Sequence, residues 1–456
     1  MSRLIVASNR TANLESQTPA GGLAVAVGDA LRELGGAWFG WSGEIVANDA
    51  SMGLNLDRQA GVTVATQPLT QEDYDLYYLG FSNRALWPVF HYRLDLAEFD
   101  QEAQKGYQRV NRRFAKSVSA LVEKDDLIWV QDYQLIPLAA ELRGLGIENR
   151  IGFFLHIPFP SPEIITAIPN HEWLIDSLFA YDVIGFQTEQ DRDNFNRYVS
   201  ETRDAVGALT HPFRCLERKL KVGAYPIGID AEAFAAMART EEAGDRIAQL
   251  RRGSIKHHII GVERLDYSKG LPDRFRAYHR FLEMFPERCK ETVLMQIASP
   301  TREQLTAYAE IRVELERLSG AINGALGDFD WTPLRYIHRS LPRDVLAALF
   351  RGSEVGLVTP LRDGMNLVAK EYVAAQDEDD PGVLVLSQFA GAAARMREAL
   401  IVNPYDQDEV ARALNRAVTM PLAERKERHA ALLEHVREED VTNWRRRFLD
   451  DLRAPG

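Results

Sequence analysis

The sequence predicts an α/β protein made of two doubly wound domains. Three observations carry that expectation. Strand-like apolar runs alternate with helical periodicity along the chain, the pattern of parallel sheets covered by helices. The runs fall into two series, parted by the turn-rich segment Tyr225-Pro-Ile-Gly-Ile-Asp230. The chain has 456 residues, more than one core usually serves at about 100–200 residues per domain.

The first series predicts strands over 4–8, 127–131, 151–155 and 183–186, with helices over 22–34, 102–123 and 135–144. The run 151–155 also fits a buried helix by period; its length and flanking turns favour a strand. The second series predicts strands over 258–262, 293–298, 335–338, 354–358, 383–387 and 400–403. Helices over 272–285, 302–318, 343–350 and 366–375 separate them. With the hinge at 225–230, the domains are 1–228 and 229–439. The charged stretch 440–451, with Trp444, reads as an amphipathic closing helix crossing back to the first domain; 440–456 is assigned there. No repeat at a fixed period and no low-complexity tract interrupts this pattern.

Composition narrows the function classes. Apolar residues make up 46% and charged residues 26%, ordinary for a protein with large cores. No run approaches the ~20 apolar residues of a membrane span. The start reads as a first strand and not as a secretory signal. The two cysteines, Cys215 and Cys289, are far apart, which argues against a disulfide framework or a zinc site and fits a reducing cytoplasm. A net charge of −12 argues against general affinity for nucleic acid or anionic membrane. Small anionic substrates remain, and they need local cations.

In open α/β sheets ligands bind beyond the carboxyl ends of the strands, so the strand-to-helix loops carry the candidates. Pro19-Ala-Gly-Gly-Leu-Ala-Val25 can bring backbone and a helix N-terminus to a phosphate; a plain turn uses the same residues. Asn9 and Arg10 end the first strand, where an arginine can bind an anion but on spacing alone is more often a surface ion-pair partner. In Val262-Glu-Arg-Leu-Asp-Tyr-Ser-Lys-Gly270, Arg264 and Lys269 can clamp a diphosphate. Such a leaving group gains negative charge as its glycosidic bond breaks, so fixed cations favour the transition state. In Val358-Thr-Pro-Leu-Arg-Asp-Gly-Met-Asn-Leu-Val-Ala-Lys-Glu371 a strand meets a tight turn and a helix, with Glu371 able to accept from ribose hydroxyls or merely to complement the helix dipole. His156, in Phe153-Phe-Leu-His-Ile-Pro-Phe-Pro160, and Asp132, in Trp129-Val-Gln-Asp-Tyr-Gln134, both end strands. Tyr77, Tyr78 and Trp87 suit sugar stacking, although core packing is the commoner fate of such rings.

Taken together, these segments resemble the trehalose-6-phosphate synthase family, retaining glycosyltransferases with two Rossmann-like domains facing a cleft (the GT-B arrangement). The resemblance runs along nearly the whole chain. It rests on Ser8-Asn9-Arg10, Gly21-Gly22-Leu23, Trp38-Phe-Gly-Trp41, Leu86-Trp-Pro88, His91-Tyr-Arg93, Phe154-Leu-His-Ile-Pro-Phe-Pro160, Glu263-Arg-Leu-Asp-Tyr-Ser-Lys-Gly270 and Arg362-Asp-Gly-Met-Asn-Leu-Val-Ala-Lys-Glu371.

The resemblance implies transfer of glucose from a nucleotide-glucose to glucose 6-phosphate, giving trehalose 6-phosphate; UDP-glucose is the donor expected, and GDP- or ADP-glucose stay open. It also implies the roles. Arg264 and Lys269 hold the donor diphosphate, with Gly21 and Gly22 over it from the other domain. Leu341 gives backbone contacts to the base. Asp363, with the backbone of Gly364, Met365, Asn366, Leu367 and Val368, contacts the donor glucose and phosphates, and Glu371 the ribose. His156 lies near the reacting carbon. Arg10 and Arg302 bind the acceptor phosphate, while Tyr78, Trp87 and Asp132 line the acceptor sugar. No cofactor and no metal are expected: no Asp-x-Asp stands on a suitable loop, and the paired cations replace the metal. With no carboxylate nucleophile evident, front-face substitution is expected, a donor phosphate oxygen taking the acceptor proton. Closure about 225–230 would exclude water. The protein is expected in the cytoplasm, with no nucleic acid or membrane partner; a homo-oligomer, dimer or tetramer, stays open.

The chain departs from the family at one motif. The usual His-Asp-Tyr-His is here Gln131-Asp132-Tyr133-Gln134. Glutamine hydrogen-bonds but does not titrate near neutrality. The expectation is that these positions support Asp132, so acceptor preference shifts and chemistry does not. The alternatives are another polyol-phosphate acceptor, such as glycerol 3-phosphate, or a catalytically silent ligand sensor. A dinucleotide oxidoreductase would need a G-x-G-x-x-G after the first strand, which Gly21-Gly22 does not supply. No phosphatase segment is expected after Gly456.

Overall fold

The computed structural model describes residues 2–14, 22–48, 53–202, 205–206, 213–215 and 218–454, with backbone alone for 22–26 and for the described residues within 205–219. The chain divides into two compact units: Met1–Pro226 with Trp444–Gly456, and Ile227–Asn443.

The first unit holds β1 (Leu4–Arg10), β2 (Gly36–Val46), β3 (Asn55–Gln59), β4 (Val62–Thr70), β5 (Leu127–Gln131), β6 (Ile151–Phe154), β7 (Val183–Phe186), β8 (Ala205–Val206), β9 (Phe213–Cys215) and β10 (Arg218–Ala224). They form one sheet in the order β3-β4-β2-β1-β5-β6-β7-β10-β9-β8. From β4 to β10 every neighbouring pair is parallel; β3, β9 and β8 are antiparallel additions at the edges. The chain order of the parallel strands reverses between β1 and β5, which makes their carboxyl ends the switch point of a doubly wound sheet. The central strands β5, β6 and β7 are buried throughout, so they read as continuous apolar runs and not as alternation.

Several features of this unit differ from expectation, the unforeseen strands β3, β8, β9 and β10 among them. Strands β2 and β4 lay hidden because Gly36, Gly40, Trp41 and Gly43 break any simple alternation in β2. The aromatic stretch after β4 is helical: Thr70 caps Gln71–Asp73 by accepting from Asp73 N at 3.1 Å, Tyr74–Leu86 is wound as a π-helix, and Trp87–Phe90 closes as α. Long π-helical runs are rare and gather near functional sites. The helix Val441–Arg453 packs on the same unit. Its Trp444 lies 5.0 Å from Trp129 and 5.1 Å from Phe154 by ring centroids, and Tyr225 donates to Asp451 at 2.6 Å.

The second unit holds β11 (His257–Arg264), β12 (Thr292–Ser299), β13 (Leu334–Ile337), β14 (Val355–Val358), β15 (Val383–Ser387) and β16 (Leu400–Val402), all parallel, in the order β13-β12-β11-β14-β15-β16. This is the Rossmann order, with its switch point between β11 and β14. Phe275, Tyr278 and Phe281 of the helix Leu271–Met284 pack into a core with Ile259, Leu294, Val355 and Val385. The helix expected from residue 302 begins at Thr306, because Arg302 holds φ +48° and its carbonyl accepts from Leu305 N at 2.9 Å, closing a turn first. Among the described residues no helix is long and apolar enough to cross a membrane.

Candidate active site

The second unit builds a charged cluster at its switch point. Beyond β11, Asp266 accepts from Ser268 N at 2.9 Å and from Ser268 Oγ at 2.8 Å, which shapes the turn Tyr267–Lys269. Gly270 follows at φ +63°, where a Cβ would press on the Thr359 carbonyl, and the helix Leu271–Met284 starts with Pro272 in its first turn. Leu361 N donates to Ser268 O at 2.8 Å, tying this loop to the one after β14.

Lys269, 8% exposed, pairs with Asp363 and has Glu263 at 3.8 Å. Glu263 is held in turn by Arg274 at 3.3 Å, whose Nε donates to Thr359 at 2.9 Å and whose Nη1 donates to Gln296 at 2.9 Å. Asn366, at φ +73°, donates to Asp363 at 3.0 Å and caps the helix Leu367–Ala375 by accepting from Ala369 N at 3.2 Å. The Asp363 loop is stitched to the loop after β15 by Asp363 N to Phe389 O at 3.1 Å and Ala392 N to Met365 O at 2.9 Å. Gly364 and Met365 are buried; Leu367 and Val368 are partly exposed at the helix start, where N–H groups favour an anion. Glu371, further along that helix, accepts from Arg343 at 3.2 Å; burial outweighs this partner and pushes its carboxyl up. Arg264 is exposed at the end of β11, and Leu341 is partly buried just before the helix Arg343–Arg351.

Arg302 belongs to this unit. Its Nη1 donates to Tyr308 Oη at 2.7 Å and to the fully buried Asp266 at 3.4 Å. Burial, then Asp266, raises the Tyr308 phenol well above its ordinary value.

The switch point of the first unit gathers a different set. Asp132 has φ +74°, a costly conformation for a residue with a side chain, held by Asp132 N to Phe154 O at 2.8 Å and by His156 N to Asp132 Oδ1 at 3.2 Å. His156 Nε2 faces Gln131 Oε1 at 2.9 Å, and burial pulls the imidazole down to about 3. Burial therefore favours the neutral ring, and with the Gln131 amide oxygen turned toward it the matching tautomer carries its proton on Nε2. Gln134, 7% exposed, takes no part: its backbone carbonyl accepts from Asn111, and its Oε1 meets no partner among the described residues. Arg10 lies over the Trp41 ring, 4.9 Å from its centroid. Tyr78 stacks on Tyr74 at 5.5 Å and both lean on Trp41. Trp87 is 3% exposed, packed against His91 at 4.1 Å and Tyr133 at 5.6 Å, so most of its ring serves the core. Gly22 opens the helix Gly22–Leu34, and Gly21 lies outside the described residues.

Thus Lys269, Asp363, Asn366 and the Glu371 helix come together within the second unit, and Arg10, Tyr78, Asp132 and His156 end strands or line helices of the first. Sequence reasoning missed Glu263, Arg274 and Asp266, which hold Lys269 and Arg302 in place. Glu263 stood beside Arg264 in a quoted block, but a buried carboxylate becomes legible only once its partner on another helix is known. Among the described residues no group of three or more His, Cys, Asp or Glu side chains is placed to hold a metal ion.

A Rossmann-type sheet with an ammonium held on its switch-point loop, in one chain with a second such sheet, is the build of a two-domain glycosyltransferase. The chain belongs to glycosyltransferase family 20, whose family model matches residues 2–454. It is 50% identical over 455 residues to a trehalose-6-phosphate synthase of Klebsiella pneumoniae, covering 99% of this chain and 95% of that one. Solved structures agree. An α,α-trehalose-phosphate synthase (UDP-forming) of Burkholderia xenovorans in complex with glucose-6-phosphate is 48% identical, with a TM-score of 0.95 over 99% of this chain and 100% of that one. An E. coli structure bound with UDP-2-fluoro glucose is 48% identical, with a TM-score of 0.94 over the whole of both chains.

Proposed function

We propose that this protein transfers glucose from UDP-glucose to glucose 6-phosphate with retention of configuration, releasing UDP and α,α-trehalose 6-phosphate. The observation that carries the reading is the Lys269–Asp363–Asn366 cluster at the switch point of a chain that matches family 20 from end to end.

In this reading Lys269 and Arg264 hold the donor diphosphate. Lys269 exchanges its carboxylate partner for phosphate oxygens, and Asp363 turns to the donor sugar. The N–H groups from Gly364 to Val368 meet the same ligand at a helix start, and Glu371 takes the ribose. The helix N-terminus beginning at Gly22 lies over the phosphates. Arg10 and Arg302 take the acceptor phosphate; Tyr78, Trp87 and Asp132 take its sugar. His156 stays neutral beside the reacting carbon, so it orients and does not shuttle protons. As the glycosidic bond breaks, a donor phosphate oxygen accepts the proton of the attacking hydroxyl, and the cations stabilise the charge that develops. The reading includes a cytoplasmic setting, which the widely spaced cysteines support, and assembly as a dimer or tetramer remains within it.

Product analysis tests the proposal. The protein is incubated with UDP-, GDP- and ADP-glucose against glucose 6-phosphate, glycerol 3-phosphate and glucose, and products are resolved by mass and anomeric NMR. Trehalose 6-phosphate from UDP-glucose is expected. A different phosphorylated acceptor would move the acceptor assignment, and tight binding without turnover would establish a sensor.

A further inference from the structure

We propose that Gly43 and Trp41 form a seat that positions the Arg10 guanidinium and so sets affinity for the acceptor's phosphate; this rests on the acceptor role given to Arg10 above. Arg10 pairs with Trp41 across β1 and β2, just past a register shift between Ala7 and Arg10. That irregularity is pinned from both sides. Ser8 Oγ donates to Arg10 O at 2.7 Å and accepts from Trp38 Nε1 at 2.7 Å. The guanidinium carbon then sits 4.9 Å from the Trp41 centroid. The indole is itself fixed: it is 4% exposed, donates from Nε1 to Glu44 O at 3.0 Å, and is flanked by Tyr74 at 5.4 Å and Tyr78 at 5.8 Å. A guanidinium laid on a ring keeps its planar fork of N–H donors for an oxyanion met edge-on.

Gly43 completes the seat. Its φ is +88°, and a Cβ there would lie 2.2 Å from Arg10 Nη2 and 3.1 Å from Arg10 Cζ. No side chain fits at 43 while Arg10 stays where it is. The clashing atoms are the far end of a flexible side chain, so a methyl group displaces the guanidinium and leaves the strand standing. The lesion is loss of position, and the group that feels it is the anion Arg10 binds.

Gly61 supplies a matched control. It too has positive φ, +83°, but a Cβ there meets nothing within 4 Å, so Gly61→Ala carries the backbone strain without the clash. Steady-state kinetics are measured for Gly43→Ala, Gly61→Ala, Trp41→Leu, Trp41→Phe and Arg10→Ala, with melting temperatures alongside. Gly43→Ala and Trp41→Leu are expected to raise the acceptor KM tenfold or more, with kcat and donor KM within twofold. Trp41→Phe, which keeps a ring, recovers much of the loss, and Gly61→Ala behaves as wild type. An acceptor KM for Gly43→Ala within twofold of the Gly61→Ala value overturns the seat, as does an equal rise in donor KM. If Gly43→Ala does not fold, equal acceptor KM for Trp41→Leu and wild type overturns it instead. An Arg10→Ala enzyme with unchanged acceptor KM sinks the underlying acceptor reading, a result distinct from failure of the seat.

Discussion

Replacing Lys269 by methionine removes one positive charge and little volume from the centre of the donor loop. The Lys269 side chain is 10% exposed, and its ammonium pairs with Asp363 and has Glu263 at 3.8 Å. On the proposed reading, the ammonium faces developing negative charge instead as UDP leaves. Two unit charges about 4 Å apart interact by about 4 kcal/mol at an effective dielectric of about 20. That corresponds to roughly a thousandfold in rate, and removal of one preorganised donor elsewhere costs roughly 10²–10³-fold in kcat. A fall of about that size in kcat is expected. The folded state should survive the change. Glu263 keeps Arg274 at 3.3 Å and Asp363 keeps the Asn366 amide at 3.0 Å, so neither carboxylate is left bare. The stability cost should then stay at or below about 3 kcal/mol, the low end for breaking a buried pair. Steady-state rates at saturating acceptor, calorimetric UDP titration and a melting scan separate the effects. A folded Lys269→Met protein with kcat within tenfold of wild type would refute leaving-group stabilisation by this residue.

Three further outcomes are expected. Arg302→Ala should raise the acceptor KM at least tenfold and the donor KM by less than twofold; parallel rises would return Arg302 to a structural role with Asp266 and Tyr308. His156, held down to about 3 by burial, should show no titration between pH 5.5 and 8 by nitrogen-15 NMR; a titration near 6.5 that disappears in His156→Asn would contradict the burial of the ring. Lys370, 2% exposed, donates to Ile227 O at 3.0 Å and lies 3.8 Å from Glu439, yet burial pulls it down to about 8. The unfolded chain keeps that proton up to about pH 10.4, so between these values it binds more protons than the folded one, and stability rises with pH by roughly 3 kcal/mol in full. Urea titrations at pH 7.5 and at pH 10 should show wild type gaining roughly 2 kcal/mol of unfolding free energy relative to Lys370→Met over that window, and equal changes in the two proteins would refute the shift.

The line between what was legible and what was not follows the range of the forces involved. The helix Gly22–Leu34 and the strand Val383–Ser387 matched their expected bounds, because apolar period and turn residues are local signals. The blocks around Lys269 and Asp363 were legible as strand-to-helix loops for the same reason: each is a strand end, a tight turn and a helix start within a dozen residues. Strand β2 was not legible, since what makes its Trp and Gly residues a strand is pairing with β1 and β4. The π-helix Tyr74–Leu86 was read as loose aromatics for want of its partners: Tyr77 donates to Asn9 at 2.8 Å, and Tyr133 donates to Asn83 at 2.8 Å. Gln131 and Gln134 looked alike in sequence, and only the fold turns the first to His156 while leaving the second, among the described residues, without a partner for its amide oxygen. By itself, then, the sequence determined the class of fold, the family and the strand-to-helix loops that carry the candidate residues. Tertiary structure decided the sheet order, that Asp363 pairs with Lys269, that Asp266 meets Arg302, and that Gly43 lies against the Arg10 guanidinium. Those depend on groups tens to hundreds of residues apart, whose energies exist only once the chain has brought them within hydrogen-bonding or van der Waals reach.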